Sequence, residues 1–123
     1  MPNGQSVLVV EDDENLRRLY RTALTMSGYQ VREARSGFEA LRILDSSPVD
    51  IVVLDLMLPG VDGFMVREEI AAQADRNPIP IVVVTGVGGD LDYLNVPCLL
   101  RKPVSVDQLV NEVRRCLAAA AAV

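Results

Sequence analysis

The stretch Ile51–Gly60, IVVLDLMLPG, sets two tendencies against each other. Six of its first eight residues are aliphatic and a seventh is Met57, yet Asp55 stands among them. A run this apolar belongs in a core, where a lone carboxylate is costly. The conflict disappears if the run is a strand whose carboxyl end is reached at Asp55, where another group needs the charge.

Working outward, two more short β-branched runs occur, SVLVV (6–10) and IPIVVV (79–84). YQVREA (29–34) alternates with period two, as a more exposed strand does, and CLL (98–100) is a short fifth candidate. Continuous apolar runs suit parallel strands covered on both faces. Helical patterns separate them. In ENLRRLYRTALTMSG, residues Leu16, Leu19, Tyr20, Ala23 and Leu24 share one face, and Gly28 is a stop signal. SGFEALRIL opens on the capping-box pair Ser36 and Glu39, and SVDQLVNEVRRCL on Ser105 and Gln108. DGFMVREEIAAQA carries Phe64, Ile70 and Ala71 between charges. Strand–helix alternation predicts an α/β fold, a doubly wound parallel sheet whose ligand site lies beyond the carboxyl ends of the strands.

With 123 residues, half of them hydrophobic, the chain reads as one domain with a sizeable core. The expected divisions are a lead-in over 1–5, the domain over 6–117 and an alanine-rich tail over 118–123, read as a fraying end or tether. The net charge of −5 argues against a nucleic-acid surface. The chain has no histidine, which removes histidine metal sites and histidine-dependent triads. Cys98 and Cys116 have no metal spacing and read as reduced, packed residues of a cytoplasmic protein. No apolar run approaches the roughly 20 residues of a membrane span, and the start lacks signal-peptide character.

The strand ends collect a distinct set of groups. The first runs into Glu11, Asp12 and Asp13, the third ends at Asp55, the fourth at Thr85 and the fifth near Lys102 and Pro103. Lys102 is the only lysine; the other 11 basic residues are arginine. Clustered carboxylates repel unless a cation joins them, and an all-oxygen set suits Mg²⁺ or Mn²⁺. Thr85 and Lys102 suit phosphoryl oxygens, and Asp55 is then a nucleophile able to form an aspartyl phosphate. Blander readings compete. The acidic residues could simply favour a helix N-terminus, with Asp13 an N-cap, and Thr85 could be a turn hydroxyl. Met26 and Met65 read as packing residues, and Arg17, Arg18, Arg114 and Arg115 as solvated helix faces.

In this order, VLVVEDDE, DIVVLDLMLPGVDG, VVVTG and RKP resemble the receiver domain of two-component response regulators, over about Ser6 to Leu117. The resemblance implies strand order 2-1-3-4-5 and a phosphoacceptor switch served by a partner histidine kinase or phosphotransfer protein. It implies Asp55 as phosphoacceptor, Glu11, Asp12 and Asp55 with the Met57 backbone carbonyl as metal ligands, Thr85 as switch hydroxyl followed by Gly86, and Lys102 as phosphate-binding lysine before a cis Pro103. Two departures stand out. The usual aromatic switch residue is replaced by Leu99. The 17-residue step from Thr85 to Lys102 leaves only a degenerate fourth helix in GVGGDLDYLNVP, as in a receiver subgroup of proteobacterial sensor systems. Phosphorylation is then expected to act by ordering this segment. Met57 and Val87, both apolar, imply slow self-dephosphorylation. An Mg²⁺-dependent phosphatase with an Asp nucleophile is the alternative enzyme, but it would want a second Asp where Met57 stands. A flavodoxin-type cofactor binder would not want an acidic loop after the first strand, and a non-phosphorylated interaction module leaves the full set unexplained. The chain either stands alone or is a piece of a hybrid kinase.

Overall fold

The computed structural model describes residues 4–58, 63–72, 79–86, 88 and 97–121. Five strands, β1 (Ser6–Val10), β2 (Gln30–Ala34), β3 (Ile51–Leu54), β4 (Ile81–Thr85) and β5 (Cys98–Arg101), alternate with α1 (Glu14–Met26), α2 (Gly37–Ser46) and α3 (Gly63–Ala72), and α4 (Val106–Ala121) follows β5. The sheet is parallel, with order β2-β1-β3-β4-β5. This is the doubly wound arrangement that the alternation predicts.

Side-chain alternation along each strand builds two cores. Leu8, Val10, Val52, Leu54 and Val83 face α2 and α3, where Ala40, Val66 and Ile70 pack on them. Val7, Val9, Ile51, Val53, Val82 and Val84 face the other way, against Tyr20 and Leu24 of α1 and Leu109 and Val113 of α4. Both faces of the central strands are thus covered, which is why their sequences are apolar without a break.

Capping is local. Ser36 accepts the Glu39 N–H at 3.2 Å, but Glu39 reaches back to the Arg35 N–H at 2.7 Å, one residue before the cap. That contact holds the Glu39 carboxyl below its ordinary range. Ser105 and Gln108 form the full reciprocal box, at 3.1 and 3.0 Å.

Several expectations need correction. Leu19 is 48 % exposed rather than in the core, while Arg17 is 6 % exposed rather than solvated. The buried stripe of α1 is Arg17, Tyr20 and Leu24, rotated from the expected face because a guanidinium with partners can be buried. Met26 and Met65 are largely exposed rather than buried. Cys98 and Cys116 are buried as expected, but joined in a disulfide between β5 and α4 rather than reduced. Ala118–Ala121 continue α4 instead of fraying, in keeping with alanine's helix propensity. The expected degenerate fourth helix, with Val87 and residues 89–96, lies outside the described residues. Among the described residues no helix is long and apolar enough to cross a membrane.

Candidate functional site at the carboxyl edge of the sheet

β1, β3, β4 and β5 deliver their carboxyl ends to one edge. Glu11 and Asp55 each follow the last residue of a strand, and each backbone N–H is still held by a neighbouring strand. Glu11 donates to the Ala34 carbonyl at 3.1 Å and Asp55 to the Val10 carbonyl at 3.1 Å. Lys102 donates its N–H to the Thr85 carbonyl at 2.9 Å, which carries the β4–β5 pairing one residue past β5. The Lys102–Pro103 bond is cis, as the resemblance implies.

These anchors bring opposite charges together. Lys102 Nζ lies 2.9 Å from Glu11 Oε1 and 3.1 Å from Asp55 Oδ2. Glu11 and Asp55 are almost fully buried, 1 % and 4 % exposed, so the ammonium compensates two carboxylates removed from water. The remaining oxygens are also engaged. Glu11 Oε2 accepts the Asp13 N–H at 3.1 Å, and Asp55 Oδ1 accepts the Met57 N–H at 3.0 Å.

Burial pushes the Glu11 carboxyl upward, with the nearby Asp55 charge adding to it, and the Lys102 bond only partly offsets this. Burial pulls the Lys102 ammonium down, but hydrogen bonds to Glu11 and Asp55 outweigh it and hold Lys102 above its ordinary value. Tyr20, buried under the site, has its hydroxyl raised by burial and by the Glu11 charge.

One oxygen each of Glu11, Asp12 and Asp55 lies within 4.8 Å of the others. Asp12 is exposed, so the group opens to solvent on one side. Three hard oxygen donors with an open side fit a divalent cation that keeps some of its waters. Asp13 is not in the group; it is the N-cap of α1, accepting the Leu16 N–H at 3.0 Å. Thr85 is fully buried at the end of β4. Gly86 has open space where a Cβ would stand. Leu99 is partly buried against the core on the α2 and α3 side. Met57 exposes 62 % of its surface, and Pro103 is also exposed.

Two residues important to this geometry do not stand out in the sequence. Gly63 donates its N–H to the Leu56 carbonyl at 3.0 Å, and a Cβ on it would overlap the Asp55 carbonyl oxygen and the Leu56 Cα. The glycine lets α3 start directly against the backbone that carries Asp55. Arg17 Nη1 donates to the Glu11 carbonyl at 3.1 Å. Its position three before Tyr20 and seven before Leu24 is the signal that could have placed it inward.

Fold and site together define a doubly wound α/β domain with an acidic cluster, paired to a lysine, at the strand ends. The model of the response regulator receiver domain matches residues 7–114, and the chain belongs to that family. It is 36 % identical over 120 residues to the probable transcriptional regulator ycf27 of Cyanophora paradoxa, covering 94 % of this chain and 49 % of the relative. The ycf27 regulator of Cyanidium caldarium is 40 % identical over 86 residues, 70 % of this chain and 33 % of the relative. The chain thus spans half or less of the length of these relatives. The expectation of no nucleic-acid contact draws no support from proteins so named. Among solved structures, the receiver domain of a signal transduction histidine kinase from Syntrophus aciditrophicus superposes with a TM-score of 0.84 at 26 % identity, over 94 % of this chain and 92 % of that one. The Francisella response regulator 1452 receiver domain gives the same TM-score at 24 % identity, over 95 % and 99 % of the two chains.

Proposed function

We propose that this chain is a phosphoacceptor switch that takes a phosphoryl group onto Asp55 from a phosphohistidine of a partner kinase or phosphotransfer protein. The partner supplies the histidine, since this chain has none. In the transfer the Asp55 carboxylate forms a bond to phosphorus as the phosphorus–nitrogen bond breaks, and the imidazole leaves with the electron pair. The observation that carries this reading is the placement of Lys102 Nζ between Glu11 and Asp55, beside the three-carboxylate group.

Glu11, Asp12 and Asp55, with the Met57 carbonyl, would hold Mg²⁺. When bound, the metal would offset charge on the transferring phosphoryl oxygens. Lys102 then serves the phosphoryl group by charge and Thr85 by its hydroxyl. The chain catalyses only its own phosphorylation and dephosphorylation. Neither Met57 nor Val87 can position a water, so the phosphorylated form is long-lived. The receiver unit is taken as residues 6–117, acting in the cytoplasm.

Incubation with Mg²⁺ and acetyl phosphate, followed by intact mass over time, tests this. One added phosphoryl unit that depends on Mg²⁺ and disappears in Asp55→Asn is expected. A modification that persists in Asp55→Asn, or none at all, defeats the reading.

A further inference from the structure

Among the described residues, the mechanism above leaves one buried charge without a role. Arg17 lies in the first turns of α1, with its side chain 8 % exposed. Its Nε donates to Glu33 Oε1 on β2 at 3.2 Å, and its Nη1 donates to the Glu11 carbonyl at 3.1 Å. Nη2 is 3.9 Å from Glu14 Oε1. Glu33 is itself fixed from its other oxygen by Arg21 Nη1, also at 3.2 Å.

We propose that Arg17 is a positioning residue for the metal-binding loop, an inference that rests on the cation site proposed above. The Glu11 carbonyl and the Asp12 N–H share one rigid peptide plane. The preceding peptide is held through the Glu11 N–H by the Ala34 carbonyl, and the Arg17 bond restrains the Glu11–Asp12 peptide through its carbonyl. The plane sets the direction in which the Asp12 side chain leaves the backbone, and the Glu11 side chain departs from its other end. Arg17 touches neither carboxylate of this pair, yet it orients both. Glu33 holds the planar guanidinium in the required pose and neutralises it, as outer partners do around metal sites.

Charge and position have opposite signs here, which makes the role testable. Arg17→Met removes a cation near the acidic group, so a purely electrostatic role would tighten Mg²⁺ binding. A positioning role weakens it. Arg17→Lys keeps the charge but cannot bridge Glu33 and the Glu11 carbonyl in fork geometry.

The experiment is a titration of the full chain with Mg²⁺ alone, read by tyrosine fluorescence and by amide shifts of Asp12 and Asp55. It is run at a temperature where circular dichroism shows each variant folded. Arg17→Met is expected to weaken the Kd about tenfold and Arg17→Lys by a smaller factor, in line with losses seen when metal-site outer partners are removed. Unchanged or tighter binding by either variant overturns the proposal, even if its Tm falls, because that pattern is a structural or purely electrostatic role. Arg17→Lys decides the matter if Arg17→Met does not fold. Failure of the unsubstituted chain to bind millimolar Mg²⁺ instead removes the cation site itself, and the proposal with it.

Discussion

The β3–α3 junction and the β5–α4 junction bring opposite charges to one site by different means. The first presents Asp55 on a short side chain, so the backbone itself must be in place. Gly63 secures it by direct backbone approach, with no space for a methyl group. The second presents Lys102 on a four-carbon stem that can adjust by rotation. Its backbone is set by one strand-continuing hydrogen bond to Thr85 and by the Ser105–Gln108 capping box that starts α4. The carboxylate side therefore tolerates little change, whereas the ammonium side has slack in its structure but none in its charge.

The largest effect should come from breaking the rigid side. Gly63→Ala places a methyl group into the Asp55–Leu56 backbone, and main chain cannot yield as a side-chain tip does. A loss near the upper end of the roughly 1–3 kcal/mol of overpacking is expected, or about 10 °C in Tm. Phosphorylation with acetyl phosphate should fall along with it. Gly88→Ala is the control, because a Cβ there meets nothing. Equal Tm values for the two variants would show that the close approach does not constrain Asp55.

The ammonium side should break through charge rather than shape. Lys102→Met keeps much of the stem volume but leaves Glu11 and Asp55 buried without a cation. Removing one partner of a fully buried pair costs roughly 3–5 kcal/mol, and partial exposure of Lys102 reduces this to about 2 kcal/mol. A divalent cation can take over the compensation, so Mg²⁺ should raise the Tm of Lys102→Met more than that of the unsubstituted chain. Thermal denaturation with and without Mg²⁺ measures the Tm shift, and chemical denaturation measures the loss of stability. Equal Mg²⁺ stabilisation would mean that Lys102 does not offset these carboxylates.

The same contrast explains what was legible in the sequence. Strand ends are marked by a change from aliphatic to polar residues, so Glu11, Asp55, Thr85 and Lys102 could be placed on one edge from pattern alone. Helix caps are equally local, and Asp13 separates from Asp12 as a cap in the structure as its spacing to Leu16 allows. Gly63 depends on a contact between segments that periodicity does not encode, whereas the helical spacing of Arg17 to Tyr20 and Leu24 marks an inward face but not the partners that let a charge sit there. A glycine after Asp62 reads as one more loop residue until the neighbouring backbone is seen. An arginine reads as solvent-facing until Glu33 and the Glu11 carbonyl appear beside it. The Cys98–Cys116 pairing has the same origin, since strand–helix docking decides whether two cysteines 18 residues apart meet.

The smallest effect probes how the slack side is docked. Arg115 reaches from α4 to the Pro97 carbonyl at 3.2 Å and to Cys98 Sγ at 3.6 Å, just where β5 begins. It is held there by Glu112 through two bonds, at 2.9 and 2.6 Å. The hydrogen bond from Arg115 keeps the Glu112 carboxyl below its ordinary value of 4.5. A folded-state pKa below the unfolded one gives stability that is complete above the unfolded value and is lost as pH falls through the folded one. Glu112→Gln should therefore lower Tm slightly at neutral pH, and its difference from the unsubstituted chain should vanish on acidification below the glutamate range. Ser105→Ala removes a cap with no titrating group and should cost about 1 kcal/mol at every pH where the chain is folded. A Glu112→Gln difference that stays constant with pH would assign the effect to packing rather than to the ion pair.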